Sequence, residues 1–236
     1  MKKNRVVING VRSDLIEGLL IQELPHVIKP QMRTQIDEID GRSGSIVTQL
    51  GYSAYEKEMT IGLYGDYDID QVIRYFNSEG TVIFSNEPDK VYQYQILKEI
   101  NFTRLLRFKT ATVTFYVQPF KHSAVETEQT FTESPCTIIN SGNIASKPVV
   151  TITGKGTVNL SLNGVEILSI VLSAGILEKS IIMDDEAMDA YWEDTLLNRK
   201  VTGDYDDLTF KVGENVLSLS GGTVTEVKID NYSRWI

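Results

Sequence analysis

Residues 55–63 read YEKEMTIGL. Lys57, Met59, Ile61 and Leu63 alternate with Glu56, Glu58, Thr60 and Gly62. A period of two sends the two sets to opposite faces of an extended chain, whereas a helix would space its apolar residues three and four apart. The stretch is therefore a strand with one covered face.

The same alternation recurs outward from it. β-Branched and aromatic residues fill 5–8, 15–21, 81–84, 91–100 and 105–117, which are read as further strands. One segment departs from this pattern. In DYDIDQVIRYFNSEG (66–80), Ile69, Val72, Ile73 and Phe76 fall at i, i+3, i+4 and i+7. That spacing predicts an amphipathic helix, capped by Asp68 or Asp70 and closed at Gly80.

The alternation lapses in QPFKHSAVETEQTFTESP (118–135), which is read as a junction between two domains, 1–125 and 126–236. Beyond it, strands are expected at 146–153, 157–162, 165–172, 178–183, 208–211, 215–220 and 223–229. Asn163-Gly164 suits a type I′ hairpin, Gly154-Lys155-Gly156 a tight turn, and Gly221-Gly222 another hairpin loop. MDDEAMDAYWED (183–194) is the one helix-like interruption. The fold class is mainly β: a sandwich-like first domain with one α-helix, then a β-sandwich of jelly-roll type. The terminal Ser233-Arg234-Trp235-Ile236 follows a strand in which Val227 and Ile229 alternate with polar residues. The expectation is that the second domain covers this strand itself, with Tyr232 and Trp235 plugging the sandwich end or the junction.

Composition excludes several functions. The 236 residues carry 32 acidic against 23 basic side chains, a net charge of −9, which disfavours gripping DNA or an anionic membrane. The single cysteine, Cys136, has no partner for an internal disulfide and is read as a buried or idle thiol. Asn9 and Gly10 cut short the apolar start after Ile8, so no signal peptide is expected and synthesis is placed in a cytoplasm. The apolar run ILSIVLSAGIL (167–177) falls short of the roughly 20 residues of a membrane span.

Chemistry is poorly represented. His26 and His122 are the only histidines, far apart and read as surface or loop residues, and no metal-ligand spacing includes them. Two acidic groups, Asp184-Asp185-Glu186 and Asp204 with Asp206 and Asp207, could suggest a carboxylate pair or a calcium site. On so acidic a chain such groups are more simply solvated faces or caps. Gly154-Lys155-Gly156 lacks the spacing of a phosphate loop. No cofactor, metal or catalytic residue is expected.

Taken in order, several stretches resemble the distal tail proteins of bacteriophages with long, non-contractile tails that infect Gram-positive hosts. In the first half they are DGRSG (40–44), AYEKEMTIGLYG (54–65), VIRYF (72–76), GTVIFSNEPDKVYQYQI (80–96) and TATVTFYVQPFKHS (110–123). In the second they are NSGNIASKPVVTITGKGTVNLSLNG (140–164), SIIMDDEAMDAYW (180–192) and GDYDDLTFKVGENVLSLSG (203–221). The likeness spans nearly the whole chain, and it lies in order and spacing together.

The resemblance implies a first domain that closes into a homo-hexameric ring and a galectin-like second domain projecting outward, in a virion tail tip. One ring face would meet the tail tube and tape measure proteins and the other a tail-associated lysin or tip protein. The periphery is left for receptor-binding proteins, and DNA passes through the channel without specific binding. On this reading the protein is architectural, not an enzyme, and touches no membrane. Ring closure removes strand edges, so a hairpin-like region over 46–63 is the expected contact, with Lys57, Glu58, Met59 and Ile61 at the interface. Asp37, Glu38 and Asp40 are expected to line the channel, where carboxylates repel phosphate. The alternative is a carbohydrate-binding module recognising host cell-wall glycan through Tyr191, Trp192 or Trp235. A third reading, a glycosidase using Asp184 or Asp206, would require turnover of cell-wall substrate.

Overall fold

The structure is a computed structural model and describes residues 3–104, 109–173, 179–184 and 187–236. Residues 105–108 of the expected 105–117 strand, the end of the 167–177 apolar run, Glu178, and Asp185 and Glu186 of the first acidic group lie outside the described residues. The chain divides into two compact units, Met1–Ala124 with Ile236, and Val125–Trp235. Both are mainly β, as the alternation predicts. Among the described residues no helix is long and apolar enough to cross a membrane.

The first unit contains β1 (Val6–Ile8), β2 (Val11–Arg12), β3 (Leu19–Glu23), β4 (Met32–Glu38), β5 (Ser45–Tyr52), β6 (Tyr55–Leu63), α1 (Ile69–Tyr75), β7 (Glu79–Phe84), β8 (Lys90–Gln95), β9 (Thr103–Arg104) and β10 (Lys109–Ser123). Its main sheet runs β2-β1-β7-β8-β10-β6-β3, with β9 on β10. All of these pairs are antiparallel. β10 pairs with β6 through Val117 and with β8 from Tyr116 onward, with a register shift in the β8 pairing between Val117 and Lys121.

The alternation of β6 is realised in packing. Met59 and Ile61 are buried opposite Val113 and Ala111 of β10, in one core with Leu63, Phe115 and Val117, while Glu56 and Glu58 face out. Phe84, Tyr92, Tyr94 and Phe115 join this core through edge-to-face ring contacts. Helix α1 forms where its spacing predicts, and the Asp68 carboxylate accepts from the backbone N–H groups of Asp70 and Gln71. It is shorter than expected. Phe76 ends it and Gly80 already belongs to β7; Val72, Tyr75 and Phe76 are buried, but Ile73 is half exposed.

The second unit contains β11 (Gln129–Phe131), β12 (Cys136–Asn140), β13 (Val149–Leu162), β14 (Val165–Ser173), β15 (Lys179–Asp184), β16 (Asp189–Trp192), β17 (Thr195–Leu196), β18 (Val201–Gly203), β19 (Gly213–Asp230) and β20 (Arg234–Trp235). The sheet order is β11-β19-β13-β15-β16-β17, with β12 on β19, β14 on β13 and β18 on β14. Ile138, Ile152, Leu160, Met183, Phe210, Leu217 and Ile229 fill the core.

Two expected turns prove to be bulges. β13 runs unbroken through Gly154-Lys155-Gly156 and β19 through Gly221-Gly222, and the register slips where these glycines face one another. A Cβ at Gly154 would sit 2.2 Å from the Thr223 carbonyl oxygen, so only glycine permits the backbones to approach there. Asn163-Gly164 does make the expected tight hairpin, both residues having positive φ. The expected helix-like stretch at 183–194 contains β16, and the expected junction at 118–135 is partly strand, because β10 continues to Ser123.

Candidate assembly site

β4 and β5 form a two-stranded sheet of their own, paired from Met32↔Tyr52 to Glu38↔Ser45. DGRSG makes its tip, with Gly41 and Gly44 both at positive φ. Apolar side chains stand on both faces of this ribbon. Ile36 and Val47 are cross-strand partners on one face; Ile46 and Leu50 lie on the other. Ile36 is 61% exposed, Val47 56% and Leu50 51%. A lone two-stranded ribbon is marginal in water, and burying each such side chain is worth roughly 1.5–3 kcal/mol. The hairpin is therefore a surface made to be covered.

Its root is held tightly. The segment between β3 and β4 buries Pro25 and Pro30 and exposes His26 between them. The Asn86 amide donates to the Pro25 carbonyl at 2.8 Å, and the Lys57 ammonium donates to the His26 carbonyl at 2.7 Å. On the return strand the Ser53 N–H donates to the Gln31 carbonyl, and Tyr52 meets the edge of Phe120.

Lys57 is 1% exposed. Its ammonium lies 3.9 Å from a Glu87 carboxylate oxygen and over the rings of Tyr55, Phe84 and Tyr92. Glu87 also accepts from Lys121 at 3.1 Å and from the Tyr92 hydroxyl. Burial lowers the Lys57 pKa to about 8; Glu87 opposes this and Lys121 reinforces it. Burial likewise pushes the Tyr55 hydroxyl up to about 12.

This geometry corrects the expected ring interface. Lys57, Met59 and Ile61 point into the core of their own unit and cannot present side chains to a neighbour; only Glu58 faces out. Glu58 borders an open polar groove of about 660 Å³ with Lys98, Thr110, Thr112 and Thr114. The expected hairpin over 46–63 is also displaced: β5 turns back on β4, and β6 belongs to the main sheet. Asp37, Glu38 and Asp40 stand exposed on the hairpin and its tip, where Asp37 accepts from the Gln35 amide at 3.1 Å. The arm as a unit is not among the sequence expectations, although Ile36, Ile39, Ile46, Val47 and Leu50 around a glycine-bounded turn are its signature in sequence.

The remaining candidates sit elsewhere. Tyr191 and Trp192 are successive residues of β16, so their rings leave opposite faces of the strand and form no common platform; Trp192 is 40% exposed. Trp235 is half-buried on β20, after Tyr232, which is buried in the second unit's core. Asp184 accepts from the Ala187 N–H, Asp204 caps the turn at Tyr205–Leu208, and Asp206 pairs with Lys147 at 3.0 Å. These carboxylates are engaged in local structure. Among the described residues, no three metal-ligating side chains gather. His26 is an exposed loop residue, whereas His122 lies within β10. Cys136 is buried against the Leu217 carbonyl, and burial raises its pKa.

No family model and no curated protein matches the sequence. Solved structures do match in fold. The SPP1 Dit (gp 19.1) protein, described as a paradigm of the hub adsorption apparatus in phages infecting Gram-positive bacteria, superposes with a TM-score of 0.66 at 16% identity, covering 100% of both chains. A chain of the phage P2 baseplate, in its activated conformation with Ca, gives 0.49 at 11% identity over 100% of this chain and 99% of that one. The Sr form gives 0.47 at 11% over 96% and 97%. From end to end, this chain has the fold of the SPP1 Dit protein.

Proposed function

We propose that this protein is a structural ring subunit of a phage tail, forming a homo-hexameric hub at the tail tip that leaves a channel for DNA. The exposed hairpin carries the reading. A ribbon with apolar side chains on both faces, on a firmly anchored root, is suited to lying against a neighbouring copy. The Dit fold over the whole chain supports the same role, since the SPP1 protein is described as a hub of an adsorption apparatus. In such a hub the two ring faces meet the tail tube and tape measure proteins on one side and a lysin or tip protein on the other, with receptor-binding proteins at the periphery. The protein contributes shape, not turnover.

The hairpin offers the direct test. Replacing residues 32–52 by a short Gly-Ser turn between Gln31 and Ser53 leaves both cores intact. The shortened chain is expected to fold with unchanged unfolding transitions and to stay at the mass of one shortened chain, while the full chain, 26.5 kDa per copy, assembles. Assembly of the shortened chain into the same ring would refute the role of the arm.

A further inference from the structure

The ring reading leaves open what receives the hairpin tip. Strands β1 and β7 pair Val7 with Ile83 on the face opposite the core. These two residues and Leu24 form the apolar part of a groove of about 650 Å³, with Lys3 and Arg5 beside them. Asp14 also lines it, but Arg12 already holds that carboxylate with two hydrogen bonds. The groove is thus apolar with a basic rim, on a chain whose net charge is −9.

The hairpin tip has the inverse character. Ile36 and Ile39 are exposed, and Asp37, Glu38 and Asp40 surround them with only Arg42 opposing. The tip residues remain exposed in the folded chain, so a chain's own groove does not take its own tip.

We propose that the groove of one copy receives the hairpin tip of the next, Ile36 and Ile39 entering the Val7–Ile83–Leu24 surface while Glu38 and Asp40 meet Lys3 and Arg5. The inference rests on the ring reading and supplies its contact. A tip and a groove are different patches, so their union is head-to-tail. Such contacts generate a ring when the rotation between copies closes, where a single self-complementary patch would stop at a two-fold dimer. Charge complementarity fixes the register and speeds encounter, and the apolar part supplies affinity.

Charge exchange tests this, with assembly of the full chain read by light scattering on a size-exclusion column. Lys3→Glu with Arg5→Glu is expected to weaken association by about tenfold or more, because like charges then face each other. Glu38→Lys with Asp40→Lys is expected to do the same, and the four changes combined to restore assembly. Circular dichroism of each variant checks that the folds are kept. Independently, Ile39→Cys with Ile83→Cys in one chain should yield, on mild oxidation, a ladder of cross-linked multimers reducible by thiol. If the unaltered protein assembles but is indifferent to either reversal, and no ladder forms, the docking is wrong and the ring stands. If the unaltered protein never assembles, with or without tail proteins, both are wrong. Unchanged mass with new retention of DNA by the Glu38→Lys, Asp40→Lys ring would put these acids in the channel lining and likewise overturn the docking.

Discussion

From inside the core of the first unit, the Lys57 ammonium reaches the His26 carbonyl at 2.7 Å and so ties the leading edge of the exposed hairpin to the main sheet. A charged group buried to this degree is costly unless paired, and here one carboxylate, Glu87, serves both Lys57 and Lys121.

The pairing makes stability depend on pH. The folded pKa of Lys57, about 8, lies below its ordinary 10.5, so between those values the unfolded chain binds more protons than the folded one. Stability therefore rises from pH 8 toward pH 10, by about 2 kcal/mol if Lys57 acts alone, and the gain is lost as pH falls through 8. Tyr55 acts oppositely: its hydroxyl is raised from 10.0 to about 12, so its contribution is complete below pH 10 and lost above it. Urea unfolding at pH 7, 9 and 10 should show stability rising throughout, and above pH 10 the rise should stop as the loss at Tyr55 offsets the gain at Lys57. Lys57→Met should flatten the rise; a rise that survives this change would assign it to another group.

The hairpin should be dynamic until covered. Backbone amides of Met32–Tyr52 are expected to exchange with deuterium quickly in the free chain and slowly in the assembly, while β6 and β10 are protected in both. Ile36→Ser with Val47→Ser should leave the unfolding midpoint within experimental error and weaken association. Equal protection of the hairpin in the lone chain would mean that it needs no cover.

Gly154 has no tolerable substitute. Its added Cβ would press on the Thr223 backbone oxygen, so Gly154→Ala should cost the second unit about 2 kcal/mol or more and leave the first unit's transition unmoved. By contrast Gly164→Ala, which meets nothing within 4 Å, should cost only the strain of its positive φ. Equal effects of the two changes would contradict the bulge.

Glycan recognition can be separated from architecture. With Tyr191 and Trp192 on opposite faces of β16, titration of host wall polysaccharide is expected to release no binding heat. A measurable signal that Trp192→Ala removes without unfolding the protein would favour the carbohydrate-binding module instead.

Local rules made much of the fold legible. The period of two in 55–63 identifies β6, but it does not say what covers the strand's apolar face: Lys57, Met59 and Ile61, expected at a ring interface, are covered by the core of their own unit. Asp68 before a 3.6-residue stripe marks α1. What the sequence could not reveal is pairing at a distance. Gly154 and Gly222 each look like turn residues, and only their position across β13 and β19 makes them a bulge. The hairpin was obscured for a similar reason. Residues 46–63 alternate almost continuously, and nothing local says that β5 turns back to β4 while β6 joins β10. Ile73 is exposed for a third reason: the buried stripe is Val72, Tyr75 and Phe76, and Ile73 stands about 100° round the helix from Val72, on its flank.

The central claim is that copies of this chain close into a ring, and the most direct measurement is absolute mass by light scattering across a size-exclusion peak, with electron microscopy of the same fractions. The prediction is six times the 26.5 kDa chain mass and an annulus with an open centre, formed alone or on addition of the tail tube protein. A particle that stays at one chain mass under both conditions, with no annulus, would contradict it.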